Sequence, residues 1–213
     1  MYLFCILLLP CLLAFYLLHK EDKAHIVVAL VGFFVGVFLC TIKAFFTSSY
    51  RVAHANFFHN YFYFLFFQFF LPIAILYILF FLFSNEGVYF KMDAYFPLLC
   101  AFYSVYLPYR ILAGSEPKYS LYELFLKPML YASMCILSAT CIKGILLGIV
   151  KKMPTTLLWS LLFFVSILIP ALIESLYFVG FSSWIYLVPF LIYILIAAFT
   201  FTKNEELYSL GDF

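Results

Sequence analysis

Charge is what this chain has least of. Only 10% of its 213 residues are Asp, Glu, Lys or Arg, against roughly a quarter in a soluble domain. So few charges cannot cover a water-facing surface. The net charge is +2, which excludes the basic balance expected of a nucleic-acid binder or a polybasic membrane-surface protein. Glycine is scarce at eight residues, histidine at four and tryptophan at two. No CxxC is formed by Cys5, Cys11, Cys40, Cys100, Cys135 and Cys141, and none of them has a His at ligand spacing. They read as small apolar residues inside apolar runs, with no disulfide framework. No N-x-S/T glycosylation acceptor occurs, and no HExxH, so the metalloprotease signature is missing.

Other chemistries fall away in the same manner. A haem between helices needs histidines at mid-membrane depth, and His19, His25, His54 and His59 are read as lying in loops. A retinal protein needs a lysine in the middle of its last helix, and none lies between Ser183 and Thr202. An intramembrane serine protease needs a serine in a Gly-flanked turn with a His partner, and Gly114-Ser115 lies in a loop. No metal site and no cofactor is expected.

What is present is apolar. Hydrophobic residues make up 68% of the chain and aromatic ones 23%, with 30 Phe and 18 Tyr. A membrane-crossing helix needs roughly 20 apolar residues. By that measure the sequence predicts an all-α polytopic bundle of about seven helices, at 1–18, 26–46, 61–83, 93–113, 124–150, 155–179 and 183–202. The first is short, so six spans with an interfacial segment is the alternative. It lacks the basic start and A-x-A site of a signal peptide. All connections are short, so residues 1–213 are expected to form one membrane domain.

Seven crossings place alternate loops on opposite faces. Face A would carry Lys20, Lys23, Lys91, Lys143, Lys151, Lys152 and Lys203, and face B Lys43, Arg51, Arg110, Lys118 and Lys127. The bias puts face A in the cytoplasm. The expected location is a cytoplasmic or inner membrane if the source is bacterial. In gross build, six or seven short-looped spans, the chain resembles the substrate-binding membrane components of vitamin transporters. No motif accompanies that likeness.

Two packing signals stand out. Gly32 and Gly36, with Cys40 a turn later, line one face of the second helix. Gly144 and Gly148, with Thr140 a turn earlier, line one face of the fifth. Small-xxx-small stripes let helix backbones approach closely in lipid. The two stripes lie at similar depth, so these two helices are expected to pack antiparallel through them. Prolines recur in the spans, and Pro72, Pro170 and Pro189 are expected to kink their helices, while Pro97 and Pro128 are read as lying near helix starts.

The charged residues inside the spans carry the functional reading. Glu174 lies one turn after Pro170 and two after Ser166. Pro170 has no N–H for the carbonyl of Ser166, which leaves an acceptor in need of a donor, with the Ser166 hydroxyl or a water as candidates. Lys43, Arg110 and Lys127 lie three or four residues inside their helices at nearly the depth of Glu174, and Gln68 adds an amide. Arg51, His54 and His59 fall on the loop above. An ionisable group inside a membrane is a functional candidate. The five residues Lys43, Gln68, Arg110, Lys127 and Glu174 form the predicted ligand site, net cationic and suited to a small anionic or zwitterionic ligand such as a lipid headgroup or a carboxylate. The resulting reading is a non-enzymatic transport or ligand-binding membrane component. Two alternatives stay open: a structural or assembly subunit of a larger membrane complex, and an intramembrane enzyme acting on a lipid. Expected partners are membrane lipids, a small ligand or another membrane subunit, and no nucleic acid.

Overall fold

A computed structural model describes residues 2–20, 23–46, 56–83, 87–113 and 120–209. Among them seven helices and no strands are found. They are α1 (Tyr2–Lys20), α2 (Lys23–Phe46), α3 (57–83), α4 (Val88–Ala113), α5 (Tyr122–Val150), α6 (Thr155–Phe178) and α7 (Ser183–Ser209). Five of them, α2, α3, α5, α6 and α7, are long and apolar enough to cross a membrane. This is an integral membrane protein.

The helices start earlier than hydropathy alone suggests. His25 and His59 are therefore helical rather than in loops, and so is His19, because α1 runs on to Lys20. His25 is buried, with the rings of Tyr16 and Phe90 at 6.2 and 5.1 Å. Pro97 is interior to α4 rather than near its start. Arg51 and His54 lie outside the described residues.

The chain packs as two units. One comprises Met1–Val52 and Ile73–Ala132, the other Ala53–Pro72 and Ser133–Phe213. In the first, α4 is the core. Ala94, Leu99, Cys100, Phe102, Tyr103 and Leu107 are inaccessible. Enclosure by α1 and α2 explains why α4 tolerates tyrosines and a lower hydropathy than the lipid-facing spans: its surroundings are protein, not hydrocarbon. Gly32 lies on the carbonyl of Leu98, and Gly36 would place a Cβ 3.1 Å from the carbonyl oxygen of Phe102. This register makes α2 parallel to α4. The Tyr16 hydroxyl reaches the carbonyl of Asp93 at 2.9 Å, while Phe4, at the other end of α1, stacks on Phe125 at 4.2 Å.

In the second unit the partners run antiparallel. Phe57 meets Phe181 at 6.2 Å and Phe64 meets Phe178 at 4.8 Å, which sets the first half of α3 against α6. Gly144 faces the Trp159 ring and Gly148 faces Thr156, which sets α5 against α6. Tyr177 meets Tyr186 at 5.8 Å, and Tyr193 reaches Ser166, which sets α6 against α7. On α7, Leu191, Leu195 and Phe199 are exposed at four-residue spacing. In water that stripe would be a liability; facing lipid it matches its solvent.

The predicted pairing of the two glycine stripes with each other is therefore corrected. Gly32 and Gly36 accept the backbone of α4, and Gly144 and Gly148 accept side chains of α6. Thr140 turns its hydroxyl onto its own helix, 2.8 Å from the carbonyl of Ile136. A stripe of small residues permits close approach, but equal depth does not choose the neighbour.

Two helices absorb a proline by widening. In α3 the turns Phe64–Phe70 are π-helical, and the N–H of Leu71 bonds to Phe66, five residues back. In α5 the turns Tyr122–Leu126 are π-helical, and the N–H of Lys127 bonds to Tyr122, again five back. Each of these N–H groups belongs to the residue just before a proline, Pro72 and Pro128. A proline ring clashes with the carbonyl four residues earlier. The wider turn accommodates it without ending the helix.

Candidate ligand site

The first unit holds three of the five predicted residues. Lys43 lies in the last turn of α2 and Arg110 in the last turn of α4. Because α2 and α4 are parallel, both cations come to the same end. Neither is fully buried. The Lys43 ammonium donates to the hydroxyl of Tyr106. The Arg110 guanidinium donates to the hydroxyl of Tyr131 at 2.9 Å. Tyr103 joins the two tyrosines, with ring centroids 5.9 Å from Tyr106 and 5.3 Å from Tyr131. All three rings are buried. Two cations thus stand on one aromatic block. Like charges held together in a low dielectric favour an anion between them.

Lys127 is placed differently from the sequence expectation. It is 1% exposed, and its Nζ sits 2.9 and 3.2 Å from the two carboxylate oxygens of Glu123. Both residues belong to the opening turns of α5, four apart. The helix starts before residue 124, so the π turn carries Glu123 inward instead of leaving it in a loop. Ser120 receives the N–H of Glu123 on its hydroxyl at 3.1 Å, which fixes that turn. Lys127 is buried and paired with Glu123, unlike the half-buried Lys43 and Arg110.

Gln68 and Glu174 belong to the second unit. The ring pair Phe64–Phe178 fixes the antiparallel register of α3 and α6. Gln68 is one turn beyond Phe64, and Glu174 one turn before Phe178, so the two residues occupy the same level of the seam. Both are buried, at 1% and 0% exposure. The five predicted residues therefore fall into two sets, Lys43, Arg110 and Lys127 in one unit and Gln68 and Glu174 in the other.

The acceptor freed by Pro170 has found a donor. The Tyr193 hydroxyl of α7 lies 2.6 Å from the Ser166 carbonyl. The Ser166 hydroxyl, expected to serve that carbonyl, instead donates to Phe163 at 2.7 Å and accepts from Ser138 of α5 at 3.2 Å. Three helices meet at Ser166. Sequence reasoning missed Tyr193, Tyr106, Tyr131 and Asn60. Only Glu123 carried a legible signal, its four-residue spacing from Lys127. Compared with protein-family models, curated proteins and solved structures, the chain matches none.

Proposed function

We propose that this is a non-enzymatic membrane component that binds an anionic or zwitterionic ligand at Lys43 and Arg110, in a transport or lipid-binding role. The observation that carries the reading is the tyrosine block. Tyr106 and Tyr131 orient two half-buried cations toward the same end of parallel helices. A guanidinium offers a planar fork to a carboxylate or phosphate, and an ammonium beside it adds a compact charge. Depth favours a headgroup, since both cations occupy the last turns of apolar helices, where long basic side chains reach the interface.

The test is binding of a short-chain phosphatidate to the detergent-solubilised protein. Wild type is expected to bind it in preference to the matching phosphatidylcholine. Arg110→Ala and Lys43→Ala are each expected to lose about tenfold or more, since a hydrogen bond to a charged group contributes roughly 1.5–3 kcal/mol. Tyr131→Phe, which removes one hydrogen bond of Arg110 and keeps its charge, is expected to lose less. Equal affinity in wild type and both alanine variants would refute the reading.

A further inference from the structure

A second polar feature lies in the other unit and goes beyond the reading above. Asn60 is fully buried in the second turn of α3. Neither its amide nitrogen nor its amide oxygen has a hydrogen-bond partner. It is not a helix cap: that role belongs to Asn56, whose side chain accepts from the N–H of His59. Its own backbone N–H is already bonded to the Asn56 carbonyl at 3.1 Å. The carboxamide itself is therefore left over. Burying one donor and one acceptor without partners sacrifices the hydration of both. A leucine at this place would pack without that loss. A local rule broken with no visible compensation is where a functional site is expected.

The surroundings define the chemistry. Asn60 lies between the level of the Phe57–Phe181 ring contact and that of the Phe64–Phe178 contact. These rings are apolar and uncharged. The Phe64–Phe178 pair separates this level from that of Gln68 and Glu174, a turn deeper. A primary amide presents a donor and an acceptor side by side, so its complement does the same. A full charge would lose its hydration here against a neutral amide.

We propose that Asn60 is the polar end of a second binding site, which takes a neutral group able to donate and accept a hydrogen bond at once, a hydroxyl or primary amide borne on an apolar body. The same chemistry is offered by a neutral glycerolipid and by a small free alcohol.

The experiment uses the full chain in nanodiscs of dioleoyl phosphatidylcholine, with and without a few mole per cent dioleoylglycerol, and in parallel with hexanol in the aqueous phase. Dioleoylglycerol is expected to raise the thermal unfolding midpoint of the wild type by several degrees and to leave Asn60→Leu unmoved. In phosphatidylcholine alone, Asn60→Leu is expected to unfold no lower than wild type. A rise with hexanol but not with dioleoylglycerol assigns the site to free alcohols, and the reverse assigns it to lipid. No rise with either, or an equal rise in the variant, overturns the proposal. So does a much lower midpoint for Asn60→Leu in phosphatidylcholine alone, which would make Asn60 a structural group holding a bound water only. A readout on wild type alone guards against a variant that does not fold. A diazirine-bearing diacylglycerol is expected to crosslink within 57–64 or 178–181. Labelling confined to the lipid-facing Leu191, Leu195 and Phe199 would contradict the proposal.

Discussion

Tyr193 does at one carbonyl what a backbone N–H would do had residue 170 not been proline. Its hydroxyl takes the orphaned acceptor of Ser166, so the proline inside α6 and the docking of α7 meet in one interaction. Tyr193→Phe is expected to cost about 1–2 kcal/mol, the range of a buried interhelical hydrogen bond in lipid. Pro170→Ala should restore the backbone donor. The double variant is then expected to lose less than the sum of the single losses, which a double-mutant cycle on unfolding in mild detergent measures. At the Lys127–Glu123 pair the sign depends on how it is broken. Lys127→Met alone removes the ion-pair partner of a buried carboxylate and is expected to cost up to about 3–5 kcal/mol. Adding Glu123→Leu should recover most of that, and failure to recover would show that the pair does more than neutralise itself. Glu174, the carboxylate that drew attention in the sequence, shares the level of Gln68 within its own unit.

Helices carry the next set of consequences. The glycines of α2 face a backbone, which cannot move aside, whereas those of α5 face the side chains of Trp159 and Thr156. Gly32→Ala is expected to destabilise by about 1–3 kcal/mol through overpacking. Gly36→Ala, with its looser contact of 3.1 Å to the Phe102 carbonyl oxygen, should cost less. Unfolding midpoints of the two variants test that order. The α5–α6 connection holds Lys152 at φ 50°, closed by the N–H of Met153 on the Gly148 carbonyl at 2.9 Å. A lysine in the left-handed region is strained, where Gly180 fills the matching place after α6 at φ 78° without strain. Lys152→Gly is expected to stabilise by about 0.5–1 kcal/mol, read as a higher unfolding midpoint; a lower one would contradict the strain argument. Hydropathy made the number and order of the helices legible, because length and apolarity are local properties, but it missed polar helix ends by up to seven residues. The neighbours of Gly32 and Gly144 were not legible, because a smooth face accepts any backbone or ring at its depth. The inward turn of Glu123 was missed because a window of apolar residues trims polar ends, although its spacing to Lys127 lay in plain view.

Across the whole chain, direction is the quantity that ties structure to membrane. In one unit α2 runs parallel to α4; in the other α6 runs antiparallel to α3, α5 and α7. These are the directions of a chain that reverses at every connection. The short α1 and the less apolar α4 are expected to cross as well, which would make seven crossings. Reporter fusions before α1 and after α7 are expected to lie on opposite sides of the membrane. Same-side reporters would mean an even number of crossings. The placing of Lys43 and Arg110 near the ends of their helices was visible from spacing alone. The division of the five predicted residues between two units was not, since Gln68 and Glu174 join by an aromatic register that only tertiary packing sets.

The central claim is that Lys43 and Arg110 hold an anion. Native mass spectrometry of the protein gently extracted from its own membrane tests it most directly, with wild type beside Lys43→Ala/Arg110→Ala. The account predicts a stoichiometric anionic or zwitterionic lipid or small molecule on the wild type that is missing from the double variant. The same adduct on both, or a stoichiometric protein subunit and no small ligand on the wild type, would contradict it.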